Sequence, residues 1–209
     1  SRNIVRVLDT GILSLKGVMC PFYVMPKCKG TLRSLIASTP ATQVIALFAQ
    51  VLDGVEAAHK LDVWHRDLKP ENILWDGSSL VIADFGIAHF EEEAIYTAVE
   101  TKVASRMANF MYSAPEQRAR GASVDRRADV FSLGLILNEM FTHEVPQGAG
   151  YRTIGSVAPN FAYLDPIVER MIQSSAERRY QSIDEIKCDL IGHRNAYVAQ
   201  QRLDEATRQ

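Results

Sequence analysis

The first 25 residues alternate between apolar and polar positions, the period of a strand with one covered face. "IVRVLDTGI" and "CPFYVMP" flank "LSLKG", so the segment reads as a β-hairpin with a glycine-containing turn. Beyond "CKGTLRSLIA" the period lengthens. Thr39 and Pro40 read as an N-cap and a first helical residue, and Ile45, Phe48, Leu52, Val55 and His59 then share one stripe that ends near Lys60. "NILW" and "LVIADF" are short strand-like runs joined by "DGSS", whose Asp-Gly pair favours a tight hairpin. Residues 87–111 are polar and irregular, which predicts a long loop. "DRRADVFSLGLILNEMFT" (125–142) is apolar on nearly all sides, as a buried helix is. Asp165 and Pro166 read as the N-cap and first turn of another helix. Ser182 and Glu185 form a capping-box pattern at the head of a last helix, which turns polar and is expected to project from the core. A little β in front and mostly helix behind predicts the α+β class.

Composition narrows the picture. The chain has 209 residues, 47% hydrophobic and 23% charged, enough for one domain or one large lobe of a bigger fold. A net charge of −2 leaves no overall electrostatic footprint for nucleic acid. Cys20, Cys28 and Cys188 are odd in number and widely spaced, which suits reduced thiols in a cytoplasmic protein rather than a disulfide frame or a metal set. No apolar run reaches the roughly 18 residues of a membrane span, and the N-terminus shows no secretory pattern.

The chemistry concentrates in three motifs. "HRDLKPEN" (65–72), "DFG" (84–86) and "APE" (114–116) occur in the order and rough spacing of the protein kinase signature set. "NIVRVLD", "FYVMP", "DVFSLG" and "RYQS" also look like kinase segments in the right order, so the chain resembles a eukaryotic-like serine/threonine protein kinase over nearly its whole length. The resemblance implies a kinase-like large lobe, mainly α-helical, with short β-hairpins at the front and around the catalytic loop. It divides the chain into remnant strands of the small lobe (1–25), a hinge (26–30), the large lobe (31–194) and a polar helical tail (195–209).

Phosphoryl transfer asks a protein for positioning and neutralised charge. By resemblance, Asp67 accepts the proton of the attacking Ser or Thr hydroxyl of a protein substrate, and Lys69 stands beside the transferring phosphate. Asn72 and Asp84 would hold Mg²⁺ through oxygen ligands, and a hairpin between them would bring them together. ATP would rest its adenine against Met25, the Pro26 carbonyl, the Cys28 amide and Leu74. The Lys69 pattern favours Ser/Thr over Tyr as acceptor. His65, Asp129 and the pair Glu116–Arg179 match scaffold positions of the family rather than chemical ones. Arg66 resembles the arginine that binds a phosphate on the activation loop. That loop offers Tyr96, Thr97, Thr101 and Ser105, with Thr101 and Ser105 best placed and the acidic run 91–93 opposing.

Two features depart from the pattern. Ala108 and Asn109 stand where the family usually has Gly-Thr. Nothing before residue 63 supplies a glycine-rich loop or the strand lysine; Lys16 falls in a turn and the early glycines are scattered. The expectation is that this polypeptide alone is feebly active, with the small lobe supplied by a longer native chain, and that its front strands expose an edge and apolar surface. A pseudokinase-like binding module and one part of a split kinase are the alternatives.

Overall fold

The computed structural model describes residues 1–15, 17–85, 111–118, 123–148 and 150–208. Lys16, the phosphate-acceptor candidates Thr101 and Ser105, Tyr96, Thr97, Ala108, Asn109, the acidic run and all of the expected long loop except Met111 lie outside those residues.

The order is β1 (Asp9–Leu15), β2 (Val18–Val24), β3 (Gly30–Thr31), α1 (Leu32–Ile36), α2 (Ala41–His59), β4 (Ile73–Trp75), β5 (Leu80–Ile82), α3 (Arg127–Thr142), α4 (Ile154–Val157), α5 (Asp165–Met171) and α6 (Ile183–Arg208). Short 3-10 helices at Pro70–Asn72, Pro115–Arg118, Pro159–Leu164 and Ala176–Arg178 join them. This is an α+β arrangement, as the patterning predicts.

The helix at 127–142 forms the centre. Every residue of α3 except Arg127 and Phe131 is buried, and α1, α2, α4 and α5 all pack on it. Its Gly134 is the point of closest approach: a Cβ there would meet Met171 Cβ and Ile172 Cγ2, each at 2.7 Å. Helix α2 turns Val44, Phe48, Val51, Leu52, Val55 and Ala58 inward, a slightly wider stripe than predicted. Ile45 lies at its margin, packed against the core. Fully burying a side chain such as Phe48 contributes about 1.5–3 kcal/mol.

Two small sheets lie in front. β1 and β2 pair antiparallel from Asp9↔Val24 to Leu15↔Val18, and among the described residues they pair only with each other. Ile12, Leu13, Leu15, Val18, Met19 and Phe22 are exposed on this hairpin, the apolar surface that the sequence leads one to expect. The second sheet has the order β3-β4-β5. Asp76 closes the β4–β5 turn: its Oδ1 accepts the Ser78 and Ser79 amides at 2.7 and 2.8 Å, and Gly77 takes a left-handed φ of 111°. These bonds hold the Asp76 carboxyl down at about 2.

The first residues add a second neighbour to β5. Val5 donates to the Ile82 carbonyl and Ile82 donates to that of Asn3, both at 2.9 Å, around a parallel Ile4–Ile82 bridge. Asn3 is buried and donates through Nδ2 to the Leu80 carbonyl at 2.9 Å. Gly54 of α2 makes the space, since a Cβ there would lie 2.6 Å from the Asn3 oxygen.

Three caps differ from expectation. Helix α2 begins at Ala41 with extended Pro40 as its N-cap, and Thr39 donates its hydroxyl back to the Leu35 carbonyl at 2.8 Å, serving α1 instead. Asp165 is the first residue of α5, and its carboxylate accepts the Gly155 amide at the head of α4. A carboxylate there faces the positive end of the α4 dipole. Only half of the predicted box forms at α6: Ser182 Oγ accepts the Glu185 amide, but the Glu185 carboxylate accepts from Gln181. Helix α6 buries only Ile183 and Ile186, and most of its distal half is exposed, with the Tyr197 ring 5.4 Å from that of Tyr163.

Candidate active site

The segment from α2 to β4 carries the polar cluster. Lys69 Nζ lies 2.9 Å from Asp67 Oδ2, and Asn72 donates through Nδ2 to the Asp67 carbonyl at 2.8 Å and to Oδ2 at 3.2 Å. Pro70 starts the short 3-10 turn that brings Asn72 back over Asp67. The Asp67 side chain remains 38% exposed while Lys69 is 15% exposed, so the carboxylate is within reach of an incoming group. A cationic and a neutral side chain thus converge on one carboxylate.

Buried groups hold this loop in place. Asp129, fully buried on α3, accepts the His65 amide at 2.9 Å, the Arg66 amide at 2.7 Å and His59 Nε2 at 2.8 Å. His65 Nε2 lies 2.8 Å from the Ala83 carbonyl and its Nδ1 accepts the Asp67 amide at 3.3 Å. Those partners require a proton on Nε2 and a lone pair on Nδ1; with both nitrogens committed, His65 orients the loop. Arg66 has a left-handed φ of 62° and Asp84 one of 61°. Such backbone costs about 1–3 kcal/mol per residue, and it persists where the surroundings over-determine it. The Arg66 guanidinium sits 5.0 Å from the Trp64 ring, and its Nε is buried with no hydrogen-bond partner among the described residues.

The β4–β5 hairpin brings Asp84 to the cluster. Ile73 pairs with Ile82, and Ala83 donates to the Asn72 carbonyl at 2.9 Å, so Asp84 follows one residue beyond that contact. Asn72 and Asp84 offer hard oxygen donors of the kind that Mg²⁺ prefers, and Mg²⁺ is commonly held by one or two carboxylates with phosphate and water completing the shell. Among the described residues no group of three or more His, Cys, Asp or Glu is placed to hold a metal. The Tyr23 hydroxyl donates to Asp84 Oδ1. Burial and that bond push the Tyr23 phenol up to about 12.

The candidate adenine edge lies alongside. Lys29 donates to the Trp75 carbonyl at 2.8 Å and Thr31 pairs with Leu74, so the chain runs along β4 directly after the segment from Met25 to Cys28. Met25, Cys28 and Leu74 are half-buried. Cys28 Sγ makes a weak contact with the Pro26 carbonyl at 3.8 Å, and burial together with the charge of Asp76 pushes its thiol up.

Several contributors carry no signal in the motifs. Gln117 accepts the Ala114 amide and donates to the Arg66 carbonyl at 2.6 Å, tying "APE" to the loop. Arg33 of α1 bonds Glu71 at 2.7 Å, the Tyr112 hydroxyl at 2.6 Å and Glu139. Glu139 also accepts from Tyr112 at 2.5 Å, and burial plus that carboxylate raises the Tyr112 phenol. A glutamate inside the apolar run of α3 is the one sequence hint of this network. The Glu116–Arg179 pair forms as expected, two-pronged at 2.6 and 2.8 Å. Arg179 also donates to the carbonyls of Gln173, Arg127 and Ser174, so all five of its N–H groups are used. Burial alone would raise the Glu116 carboxyl, but the Arg179 guanidinium and the residue's own amide hold it below its ordinary value.

Comparison with known proteins places the arrangement. The family described as "Protein kinase domain" matches residues 1–202. Serine/threonine-protein kinase PknB of Mycobacterium leprae is 33% identical over 208 residues, covering 90% of this chain and 33% of the relative. A probable serine/threonine-protein kinase of Clostridium acetobutylicum is 32% identical over 214 residues, covering 94% and 31%. The chain therefore spans about one third of the length of the curated relatives it matches. The crystal structure of the Mycobacterium tuberculosis PknI kinase domain superposes with a TM-score of 0.66 at 25% identity, over 91% of this chain and 71% of that one.

Proposed function

The chain belongs to the protein kinase domain family, and on that premise we propose that it transfers the γ-phosphate of ATP to Ser or Thr hydroxyls of protein substrates. The observation that carries the reading is the convergence of Lys69 and Asn72 on Asp67, with Asp84 delivered by the adjoining hairpin. Asp67 orients the acceptor hydroxyl and takes its proton. Lys69, already beside that carboxylate, offsets charge on the phosphoryl group in flight. Asn72 and Asp84 hold Mg²⁺, which when bound supplies charge neutralisation to the phosphates. Met25, the Pro26 carbonyl, the Cys28 amide and Leu74 receive the adenine.

In this reading residues 1–25 are strands of the small lobe, 26–30 the hinge, 31–194 the large lobe and 195–209 a tail. Arg66 receives a phosphate carried by Thr101 or Ser105; its buried Nε, without a hydrogen-bond partner among the described residues, supports that role. A cytoplasmic site of action fits the three free thiols and the use of ATP. No helix among the described residues is long and apolar enough to cross a membrane.

The test is incorporation of labelled γ-phosphate into a Ser/Thr-containing protein by the full chain, with and without Asp67→Asn. The expected loss is about 10²–10⁴-fold, the range for removing a general base, with an unchanged melting temperature. A variant that transfers phosphate at the parental rate refutes the reading. So does a protein that binds ATP and Mg²⁺ but transfers nothing, which would assign a binding role.

A further inference from the structure

We infer that Tyr23 is a positioning residue for the cation site, its hydroxyl orienting the Asp84 carboxylate so that the other oxygen faces the metal. The inference rests on the assignment of Asp84 as a cation ligand.

Tyr23 lies on β2, two residues before Met25, and donates its phenolic proton to Asp84 Oδ1 across 61 residues of sequence. Among the described residues this is the side-chain hydrogen bond that ties the β1–β2 hairpin to the helical body. It is also the bond that the Asp84 side chain makes there. The backbone leaves the β5 ladder at Asp84 with a left-handed φ of 61°, and the side chain is exposed. A carboxylate in that setting swings freely about χ1 unless something holds it. One oxygen accepting from a fixed phenol leaves Oδ2 as the oxygen open to a cation.

A phenol suits this task better than a cationic partner. It fixes direction through one hydrogen bond without cancelling the charge that attracts the metal. Metal-ligating carboxylates are commonly hydrogen-bonded in turn, and loss of such a partner typically lowers metal affinity by 10–100-fold. Tyr23 is rooted in the strand that leads into the candidate adenine edge. The bond therefore links the nucleotide-facing strand to the cation-facing turn in one step.

The experiment uses the full chain with Tyr23→Phe, which keeps the ring and removes only the oxygen. Mn²⁺ binding is read by electron paramagnetic resonance in the presence of ADP, and ADP binding without metal by calorimetry. Tyr23→Phe is expected to weaken Mn²⁺ by about 10–100-fold and to leave metal-free ADP affinity within twofold. Asp84→Asn serves as the control. If Asp84→Asn abolishes Mn²⁺ binding while Tyr23→Phe leaves it unchanged, the inference fails and the cation assignment stands. Tighter Mn²⁺ binding by Tyr23→Phe also overturns it, since the hydroxyl would then compete with the ion. If Asp84→Asn binds Mn²⁺ normally, both the assignment and the inference fall. Equal weakening of ADP with and without metal would mark Tyr23 as merely structural, which again refutes the proposal.

Discussion

Replacing Glu116 by Gln removes one charge from the bonded pair it forms with Arg179 and changes almost no volume. The Arg179 side chain is wholly buried, so its guanidinium cannot turn to water. Two of its five donors point at the Glu116 carboxylate, and three are committed to the carbonyls of Gln173, Arg127 and Ser174. A Gln amide offers one oxygen and a second donor, so one of the two bonds is lost and a donor faces a donor. Breaking a buried pair from one side costs about 3–5 kcal/mol, because it strands an uncompensated charge. For a domain of this size about 2–4 °C accompanies each kcal/mol, so the melting temperature should fall by roughly 6–20 °C. Urea unfolding with matched m-values measures the free energy. Adding Arg179→Met should recover part of the loss, because no charge then remains, though the three carbonyls lose their donor. The pair should therefore show about 0.5–3 kcal/mol of non-additivity. Acid gives an independent arm. The folded carboxyl lies below its ordinary value of 4.5, so the pair's contribution is present above that pH and fades as pH falls through the folded value. The parent should lose stability over that window more steeply than Glu116→Gln. A Glu116→Gln protein that unfolds within about 1 kcal/mol of the parent, below the range for a broken buried pair, refutes the reasoning.

Other outcomes follow from the same structure. Gly54→Ala puts a methyl 2.6 Å from the Asn3 carbonyl oxygen; overpacking of this kind costs about 1–3 kcal/mol, and thermal unfolding that matches the parent contradicts the tight passage. Asp129→Ala removes the acceptor for two amides of the loop and for His59; phosphate transfer should fall by at least tenfold, and amide exchange at His65 and Arg66 should quicken, whereas unaltered exchange would show that the loop holds itself. The Asp76 carboxyl should titrate at about 2 by NMR. Because that value is depressed, its support for the β4–β5 turn is present above the ordinary carboxylate range and lost as pH falls towards 2. A midpoint near the ordinary 3.8 would mean that the turn is open in solution.

How much of this was legible in the chain depends on how local the signal is. The β4–β5 hairpin, the buried helix and the capping serine of α6 follow from spacing over a few residues and appear where the periods put them, whereas the first hairpin closes tighter than its pattern suggests, with Leu13–Leu15 inside β1 rather than in the turn. The cap of α2 slips by one residue because Thr39 has a nearer partner, the Leu35 carbonyl. The capping box at α6 is half made because Gln181 presents its amide to Glu185 first. His59 sits on the predicted apolar stripe, but its tie to Asp129 crosses 70 residues and no period encodes it. Gln117, Arg33 and Tyr23 likewise act over long separations. The motifs locate the polar residues of the candidate site. What they do not carry is the second layer that holds those residues, since its partners come from whichever elements the packing of α3 brings near.

The seating of the first residues on β5 has a consequence for the order in which the molecule assembles. Asn3 and Leu80 are 77 positions apart, whereas β4 and β5 are joined by the short turn 76–79. Closing a long loop carries a chain-entropy penalty that must be met before its contacts reward it. The hairpin can therefore form early and stand as a template, with the groove over Gly54 already shaped by α2. The N-terminal segment then docks last, as the outer rail of a finished sheet. Pulse-labelled hydrogen exchange during refolding should show the Val5 amide gaining protection after the amides of the β4–β5 hairpin.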